Sequence, residues 1–222
     1  DFKEFLQEIR PTADQRTDSQ TGHETLRERL SADEDLKECL ISDFLQGSYK
    51  RSTAVRPKGD RRSDVDIIVV TRLSEQEYTP AEALELFKPF LNKHYKGKWR
   101  QQGRSFGIEL SSVELDLVLT SAPSEAEVGI LRSDAVKSGD VLEAAEDWRL
   151  HCSWPGLESR RFRNDVRTLL AEARGQDEWK AQPLHIPDRD ANEWEATHPL
   201  AQITWTRDKN DRTNKHFVNV VK

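Results

Sequence analysis

Three aspartates lie inside two hydrophobic runs of this sequence, where aspartate is unusual. Asp64 and Asp66 head the apolar run 64–70, and Asp116 lies within the second run, 113–119. Aspartate disfavours β-strands, because its short polar side chain competes for the backbone and gains nothing from a pleated apolar surface. These positions therefore indicate a chemical role, and a divalent metal site for phosphate chemistry is the simplest one.

Strand geometry would bring these carboxylates together. Residues two apart in a strand point to the same face and lie roughly 7 Å apart, so Asp64 and Asp66 project together while Val65 faces the core. Glu114 and Asp116 likewise share one face of the second strand. If the two strands are neighbours, Asp116 joins the first two aspartates, and carboxylates gathered in this way repel one another unless cations neutralise them. Carboxylate oxygens suit Mg²⁺, and two such ions about 3.5–4 Å apart can hold both the attacking and the leaving oxygen of a phosphoryl transfer.

A glycine–serine pair, Gly47-Ser48, follows the hydrophobic run that precedes these aspartates. Glycine lets a phosphate approach the backbone closely, and backbone N–H groups and the Ser48 hydroxyl can then donate hydrogen bonds to it, more so if a helix starts there. The next residues are rich in positive charge although the chain has a net charge of −6, which favours a polyanion bound near this turn. These basic residues are Lys50, Arg51, Arg56, Lys58, Arg61 and Arg62.

Each motif alone is a weak signal. Asp-x-Asp and Gly-Ser arise often in a chain of which 33% is charged, and the basic cluster alone is typical of a solvated loop. The ordered set is more specific, because Gly-Ser ends one apolar run, Asp-x-Asp heads the next, and a third aspartate lies in a later one. We therefore favour a nucleotide site that combines a phosphate-binding turn with metal-binding carboxylates.

This ordered set resembles the polymerase-β-like nucleotidyltransferase superfamily. Within it, the chain is most similar to the bacterial CD-NTases, the cyclic-oligonucleotide synthases of the CBASS anti-phage systems. The similarity suggests the clade that makes cyclic tri- or dinucleotides and is often encoded beside HORMA-type regulatory proteins. It covers nearly the whole chain, least well over 155–182, and beyond the aspartates it is carried by the segments 44–57, 102–108, 186–194 and 197–199.

The resemblance implies a role for each candidate residue. Asp64, Asp66 and Asp116 would ligate two Mg²⁺ ions, for which Mn²⁺ can substitute, and Asp116 would also orient or deprotonate the attacking ribose hydroxyl. Gly47 and Ser48 would hold the β- and γ-phosphates of the donor nucleotide. A ribose hydroxyl would attack an α-phosphate and release pyrophosphate, and repetition of this step would close a cyclic product from ATP and other ribonucleoside triphosphates. Lys50 and Arg51 are further candidates for nucleotide binding.

Two other functions stay open. Another polymerase-β-like nucleotidyltransferase, such as an oligoadenylate synthetase or a tRNA- or antibiotic-modifying enzyme, would share the three aspartates and would give a linear product or use a non-nucleotide acceptor. A catalytically silent scaffold would bind nucleotide without metal and without turnover. The intact aspartates speak against a scaffold, because it has no need of three clustered charges.

Composition bounds the remaining possibilities. The 222 residues allow one large domain, or one and a part. Cys39 and Cys152 have no metal-site spacing and form no disulfide framework. No apolar stretch approaches the roughly 18 residues of a membrane span and no signal peptide is visible, so we expect a cytoplasmic protein that does not contact membranes. The acidic net charge disfavours general nucleic-acid binding but leaves nucleic acid, or a HORMA-type or other CBASS regulatory protein, open as an activator.

The order of elements predicts an α+β fold, a mixed β-sheet backed by helices as in the polymerase-β-like core. We expect N-terminal helices packing on the core over 1–30, the nucleotidyltransferase core over 31–154, a surface excursion over 155–182, and a return to the core with the start of a helical lobe over 183–222. The resemblance implies a helical second lobe that closes the nucleotide cleft, and most of that lobe would lie outside this chain.

Local patterns predict the individual elements. Apolar periodicity and Pro11 predict a helix near 2–9 and a second helix ending at about Leu30. Strands are predicted over 40–47 and 64–71, and a hairpin over 104–110 and 113–120. Thr79-Pro80 with Glu82 predicts a capped helix start, and Pro89 predicts a bend in that helix. Trp179, Trp194 and Trp205 are interpreted as packing anchors.

Overall fold

The structure, a computed structural model, describes residues 1–121, 184–197, 206, 209–213 and 216–220. A seven-stranded sheet forms its centre. The strands are β1 (Leu40–Gln46), β2 (Ser63–Thr71), β3 (Trp99–Gln101), β4 (Ser105–Glu109), β5 (Val113–Ser121), β6 (Leu184–Asp188) and β7 (Glu193–Thr197). The helices are α1 (Phe2–Ile9), α2 (Ala13–Ser31), α3 (Gly47–Lys50), α4 (Pro80–Glu85) and α5 (Lys88–Tyr95), and Phe217–Val220 form a short helix near the carboxyl end. The predicted surface excursion, Cys152, Trp179 and Trp205 lie outside the described residues.

The sheet is mixed, as predicted. Its strands lie in the order β1-β2-β5-β4-β3. β2 and β5 run parallel, whereas β1 pairs with β2, β4 with β5 and β3 with β4 in antiparallel fashion. β6 joins β5 through the single pair Ser121–His185 and continues into an antiparallel hairpin with β7. The two strands that carry the aspartates are therefore direct neighbours at the centre of the sheet.

The larger of two apolar clusters lies on one face of this sheet, between the sheet and the helices. Val65 and Ile67 of β2 and Leu115 of β5 are fully buried there, and Leu26 and Leu30 of α2 pack against the same cluster. The alternation of buried and partly exposed residues along β5 leaves Glu114 and Asp116 on the opposite face. Core packing thus orients the carboxylates away from the helices, as strand periodicity requires. Within the described residues, no helix is both long and apolar enough to cross a membrane.

The predicted helix start at Thr79 is confirmed. The Thr79 side chain accepts from the Glu82 backbone N–H and the Glu82 side chain accepts from the Thr79 N–H, which is a complete capping box. The predicted bend at Pro89 is instead a break, because α4 ends at Glu85 and a separate helix begins at Lys88. Proline lacks an N–H and clashes with the preceding turn inside a helix, but it is tolerated in a first turn, which is where Pro89 lies.

Three strands escaped the sequence patterns. β3 has only three residues, which is too short for a periodic signal. β6 contains Pro187, which argues against a strand in sequence, and β7 reads Glu-Trp-Glu-Ala-Thr, in which Trp194 is the one large apolar residue. The hairpin of β6 and β7 forms because it extends an existing sheet beside β5, which supplies the partner that local propensity lacks.

We expect Leu26→Ala to destabilise the protein by about 2–5 kcal/mol, the range for truncating a fully buried leucine. Leu26 has 0% relative exposure and belongs to the contact of α2 with the sheet core. Urea denaturation measures the change. Leu86→Ala is the matched control, because Leu86 is 42% exposed and leaves no closed cavity when truncated. Equal destabilisation by the two substitutions would contradict a structural role for α2 in the core.

Candidate active site

The register of β2 and β5 gathers four carboxylates on one face of the sheet. Asp64 lies directly opposite Glu114, and Asp66 lies directly opposite Asp116. Neighbouring strands are about 4.8 Å apart, and same-face residues along a strand are about 7 Å apart. The four side chains therefore form a two-by-two block at the start of both strands. The condition on which the sequence prediction depended, that these two strands be neighbours, is met.

Only one of the four carboxylates is neutralised by an ion pair within the described residues. Arg100 of β3 pairs with Glu114 and with Glu109 at the edge of the block. Asp64, Asp66 and Asp116 are left out of the ion pairs formed in this part of the chain. Glu114 is thus the structural member of the block, and the three aspartates are available for another cation.

The pKa of each of the three aspartates is raised, in every case first by burial and, for Asp64 and Asp116, also by neighbouring negative charges. Loss of surrounding water raises the pKa of Asp64 to about 7, and the charges of Asp66, Asp116 and Glu114 add to the effect, although part of Asp64 remains exposed. Asp116 has a pKa raised to about 6, again first by loss of water and then by its negative neighbours. Burial also raises the pKa of Asp66, against the opposing charge of Arg51. Each shift has the sign expected where negative charges await a counter-ion.

This donor set fits Mg²⁺. In proteins this ion is usually bound by one or two carboxylates together with oxygens of the substrate. The aspartates at adjacent strand positions supply such hard oxygen ligands. In their present rotamers, no three His, Cys, Asp or Glu side chains of the described residues surround one point closely enough to hold a metal ion. The aspartates repel one another while no cation is bound. To bind one, their side chains would have to rotate toward it, and the attraction of the cation favours that rotation.

Gly47 packs directly against this block. Gln46, the last residue of β1, lies opposite Asp66, and the chain then turns at Gly47 with a φ of +72°. A Cβ added to Gly47 would lie 1.7 Å from Oδ2 of Asp66. Two independent constraints therefore require glycine: a positive φ and the absence of a side chain. The turn that we predicted to bind phosphate lies in contact with a predicted metal ligand.

The other residues predicted to contact the nucleotide, Ser48, Lys50 and Arg51, have different surroundings. The backbone carbonyl of Ser48 accepts from the N–H groups of Thr53 and Ala54 at 2.9 and 3.1 Å, which folds the following loop onto the turn. Arg51 lies close enough to Asp66 for its charge to oppose the raised pKa of that carboxyl. Lys50 is buried, with 5% relative exposure.

Lys50 faces α2 as well as the turn. Burial lowers the pKa of His23 of α2 to about 4, and the charges of Arg27 and Lys50 add to this shift. The His23 ring also contacts Tyr49 edge to face, with 5.5 Å between centroids. α2 therefore packs against the turn, and His23 is neutral there. Binding of phosphate by Lys50 stays a prediction.

Two residues of the basic cluster predicted around the turn have partners elsewhere in the protein. Arg56 donates to the carbonyls of Arg10 and Gln7 at 2.9 and 3.1 Å and so fastens α1 to the loop. Arg62 pairs with Glu109 at 3.4 Å. The sequence pattern does not indicate these partners, because α1 and β4 come close to Arg56 and Arg62 only in the folded chain. Arg56 and Arg62 thus have structural contacts, and polyanion binding by the cluster stays a prediction.

Sequence reasoning assigned no role to two residues at this site, Gln102 and Gly107. Gly107 lies opposite Asp116 on β4. A Cβ there would lie 2.9 Å from Nε2 of Gln102 and 3.4 Å from Oδ1 of Asp116. Gln102 itself donates to Oδ1 of Asp116 over a long 3.4 Å. Both residues lie in a segment whose family resemblance was visible, but only the strand register shows that they border the carboxylates.

We expect Asp64→Asn to stabilise the metal-free protein at alkaline pH. A carboxyl with a folded-state pKa of about 7 and an ordinary pKa of 3.8 holds a proton in the folded state that the unfolded chain has lost. The free energy of unfolding therefore falls as the pH rises from the lower of these two pKa values to the higher, and it stays low above that range. Thermal unfolding in EDTA at about pH 5 and about pH 8 measures this. The wild type should lose more stability than the variant between these two conditions, and an equal loss would contradict the repulsion.

Comparison with known proteins agrees with the fold. Residues 1–122 match the family model of the Second Messenger Oligonucleotide or Dinucleotide Synthetase domain. The chain is 51% identical over 226 residues to the cyclic AMP-AMP-GMP synthase of Enterobacter hormaechei subsp. hoffmannii, in an alignment that covers 100% of this chain and 59% of that protein. The chain thus spans less than two thirds of the length of this curated relative.

Two solved structures share the fold at low sequence identity. The apo form of Vibrio cholerae DncV has a TM-score of 0.58 and 11% identity, covering 97% of this chain and 61% of that chain. CdnC of Escherichia coli MS115-1, solved in a complex with HORMA-deltaN, has a TM-score of 0.53 and 14% identity, covering 99% of this chain and 51% of that chain.

The mixed sheet with helices on one face is the polymerase-β-like nucleotidyltransferase fold, as predicted. The chain belongs to the Second Messenger Oligonucleotide or Dinucleotide Synthetase family, the group to which the CD-NTase resemblance pointed.

Proposed function

We propose that this protein joins ribonucleoside triphosphates into a cyclic di- or trinucleotide second messenger. The observation that carries this proposal is the in-register pairing of Asp66 with Asp116, with Gly47 packed against Asp66. The turn for which we propose phosphate binding thus lies beside three carboxylates that no ion pair within the described residues neutralises. Because the chain spans 59% of its curated relative, the activity proposed is that of the protein expressed from its whole gene.

Asp64, Asp66 and Asp116 would hold two Mg²⁺ ions, or Mn²⁺ in their place. When bound, such ions lower the pKa of the attacking hydroxyl and neutralise charge on the leaving phosphates. Asp116, which lies opposite Asp66 in the strand register, would orient the attacking ribose hydroxyl and accept its proton. Positioning and charge neutralisation account for most of the catalysis in phosphoryl transfer, so these side chains need no covalent intermediate.

The turn would bind the donor triphosphate. Gly47 presents backbone without a side chain, and the Ser48 hydroxyl and adjacent N–H groups would donate to the β- and γ-phosphates. Arg51 lies near enough to Asp66 for its charge to act on that carboxyl, and it would also attract the triphosphate and the pyrophosphate that leaves. Lys50 is buried behind the turn, and its charge would act on the phosphates through the backbone of α3.

The relatives favour particular substrates and partners. The name of the Enterobacter hormaechei relative, a cyclic AMP-AMP-GMP synthase, favours ATP as the main substrate with GTP as the second. The complex of CdnC with HORMA-deltaN favours a HORMA-type regulator, as expected for a CBASS anti-phage system in the cytoplasm. We propose nucleic acid only as an activator, since the net charge of −6 disfavours it as a general ligand.

Product analysis tests the proposal. This chain and the protein from its whole gene would be incubated with the four ribonucleoside triphosphates and Mg²⁺ or Mn²⁺, treated with phosphatase and examined by mass spectrometry, with and without a HORMA-type protein from the same gene neighbourhood. A phosphatase-resistant cyclic product containing AMP, absent from the Asp64→Asn, Asp66→Asn double variant, is the expected result. A linear product or a modified non-nucleotide acceptor would identify another nucleotidyltransferase. Nucleotide binding without turnover in every condition would identify a scaffold.

A further inference from the structure

We propose that the hairpin of β6 and β7 positions Asp116 from a distance, through a clamp on the turn between β3 and β4. We call the contacts of Arg104 with Asp188 and Glu195 the hairpin clamp. The inference rests on the proposed function, because it concerns a carboxylate that we assign to metal binding. It makes Arg104, Asp188 and Gln102 positioning residues rather than catalytic ones.

The hairpin clamp joins segments that are far apart in sequence. Nε of Arg104 donates to Oδ2 of Asp188 at 2.7 Å. The two terminal nitrogens of the same guanidinium reach the two carboxylate oxygens of Glu195 at 2.6 and 2.9 Å. One arginine thus spans both strands of the hairpin, and its planar group suits this forked contact in a way that lysine does not.

Asp188 is organised to receive this arginine. Its side chain is buried, and its Oδ1 accepts from the backbone N–H groups of Asp190 and Ala191 at 2.9 Å each, which shapes the hairpin turn. These hydrogen bonds, together with Arg104, lower the pKa of the carboxyl, so it is charged at neutral pH. A buried carboxylate with three donors is a rigid anchor.

Backbone contacts extend the hairpin clamp to the turn itself. The Arg189 N–H donates to the carbonyl of Gly103 at 3.0 Å. A Cβ on Gly103 would lie 2.7 Å from Oδ2 of Asp190, so the two turns approach each other closely. On the other side, Nε1 of Trp194 donates to the carbonyl of Tyr78 at 3.1 Å and holds the hairpin against the loop before α4.

The turn between β3 and β4 also holds Gln102 beside Asp116. The Gln102 N–H donates to the Ser105 carbonyl, and the Ser105 hydroxyl donates to Oε1 of Gln102, both at 2.9 Å. With its oxygen fixed by Ser105, the amide directs Nε2 at Oδ1 of Asp116, 3.4 Å away. The path therefore runs from Asp188 to Arg104, along the backbone of the turn to Gln102, and from its amide to the carboxylate of Asp116, and Gly107 leaves the space for the amide.

The test measures metal binding as well as turnover. The Mg²⁺ concentration that gives half of the maximal thermal stabilisation is measured for Gln102→Ala, Arg104→Lys and Asp188→Asn, with circular dichroism as a check on folding. Each variant should need about tenfold more Mg²⁺, the lower end of the effect of removing groups that orient metal ligands. The amide oxygen introduced by Asp188→Asn can still accept from the turn N–H groups, and Arg104→Lys keeps the positive charge, so both variants preserve the hairpin.

Arg189→Ala is the matched control for these three variants. The Arg189 side chain contacts only its neighbour Asp190 among the described residues. Its truncation therefore removes a surface charge from the same hairpin without touching the contacts that lead to Gln102. The Mg²⁺ midpoint of this variant should equal that of the wild type, and a tenfold shift here would overturn the assignment of the effect to the hairpin clamp.

Double variants decide between positioning and general stabilisation. If Arg104 acts through Gln102, the double variant Arg104→Lys, Gln102→Ala should be no worse than either single one, because both substitutions interrupt the same path to Asp116. Effects that multiply to about a hundredfold would overturn the proposal, and so would an unchanged Mg²⁺ midpoint in Arg104→Lys.

Asp64→Asn separates a failure of this proposal from a failure of the proposed function: if it too leaves the Mg²⁺ response intact, the metal site itself is wrong. If only Asp64→Asn abolishes the response, the metal site stands and the positioning role fails.

Discussion

Asp64→Asn and Asp66→Asn should each reduce nucleotide turnover by more than about 100-fold while leaving the protein folded. Loss of an outer group that merely orients a metal ligand already costs about 10–100-fold, so loss of a ligand's charge should cost more. Asparagine keeps the volume of aspartate, and neither side chain belongs to the apolar core. Product formation under saturating Mg²⁺ and ATP, beside a thermal unfolding curve for each variant, measures both parts of this expectation.

Asp60→Asn is the matched control for these substitutions. Asp60 lies in the exposed loop four residues before Asp64 and outside the carboxylate block, so the same chemical change there should leave turnover near that of the wild type. If Asp64→Asn or Asp66→Asn unfolds the protein, the carboxylates are structural. If turnover survives both substitutions, the proposed metal site is wrong.

Gly47→Ala should be almost as damaging, for a different reason. The methyl group would overlap Oδ2 of Asp66, 1.7 Å from the Cβ position, and would force either the turn or the carboxylate to move. A misplacement of about 1 Å in a catalytic group can cost about 100-fold in rate. Alanine at a φ of +72° also strains the backbone, by about 1–2 kcal/mol. Turnover and urea denaturation together measure the two effects.

Gly97→Ala separates these two effects. Gly97 has a φ of +73°, but its Cβ would meet nothing within 4 Å. We expect this variant to show the backbone strain alone, about 1–2 kcal/mol of destabilisation, with turnover unchanged. If Gly47→Ala and Gly97→Ala have the same effect on both stability and turnover, the contact between the turn and Asp66 has no functional meaning.

The central elements of this fold were predictable because local pattern and tertiary role agree in them. The apolar alternation around Asp64 and Asp116 marks β2 and β5, and the Thr79-Pro80 start of α4 is determined by hydrogen bonds within four residues. The carboxylates were conspicuous because aspartate has no folding reason to lie in such strands. Their grouping still depended on a parallel pairing of β2 with β5, which the sequence left as a condition.

Other features depend on contacts that no local pattern encodes. Arg56 donates to a carbonyl of α1, and Lys50 is buried and acts on the pKa of His23, although both looked like parts of one basic cluster. β6 contains a proline and owes its place to β5. Gln102 borders Asp116 only because β4 pairs with β5 in one particular register. Charge and propensity are visible in a sequence, whereas the partner of each charge is a property of the fold.

Diffraction from crystals grown with Mn²⁺ and a non-hydrolysable ATP analogue would test the central claim most directly. Anomalous difference density locates manganese without reference to any assumed ligand. We predict two peaks about 3.5–4 Å apart, bordered by Asp64, Asp66 and Asp116, with the triphosphate over Gly47 and Ser48. Manganese bound away from these carboxylates, or a triphosphate that avoids the Gly47 turn while the protein is folded, would contradict the account.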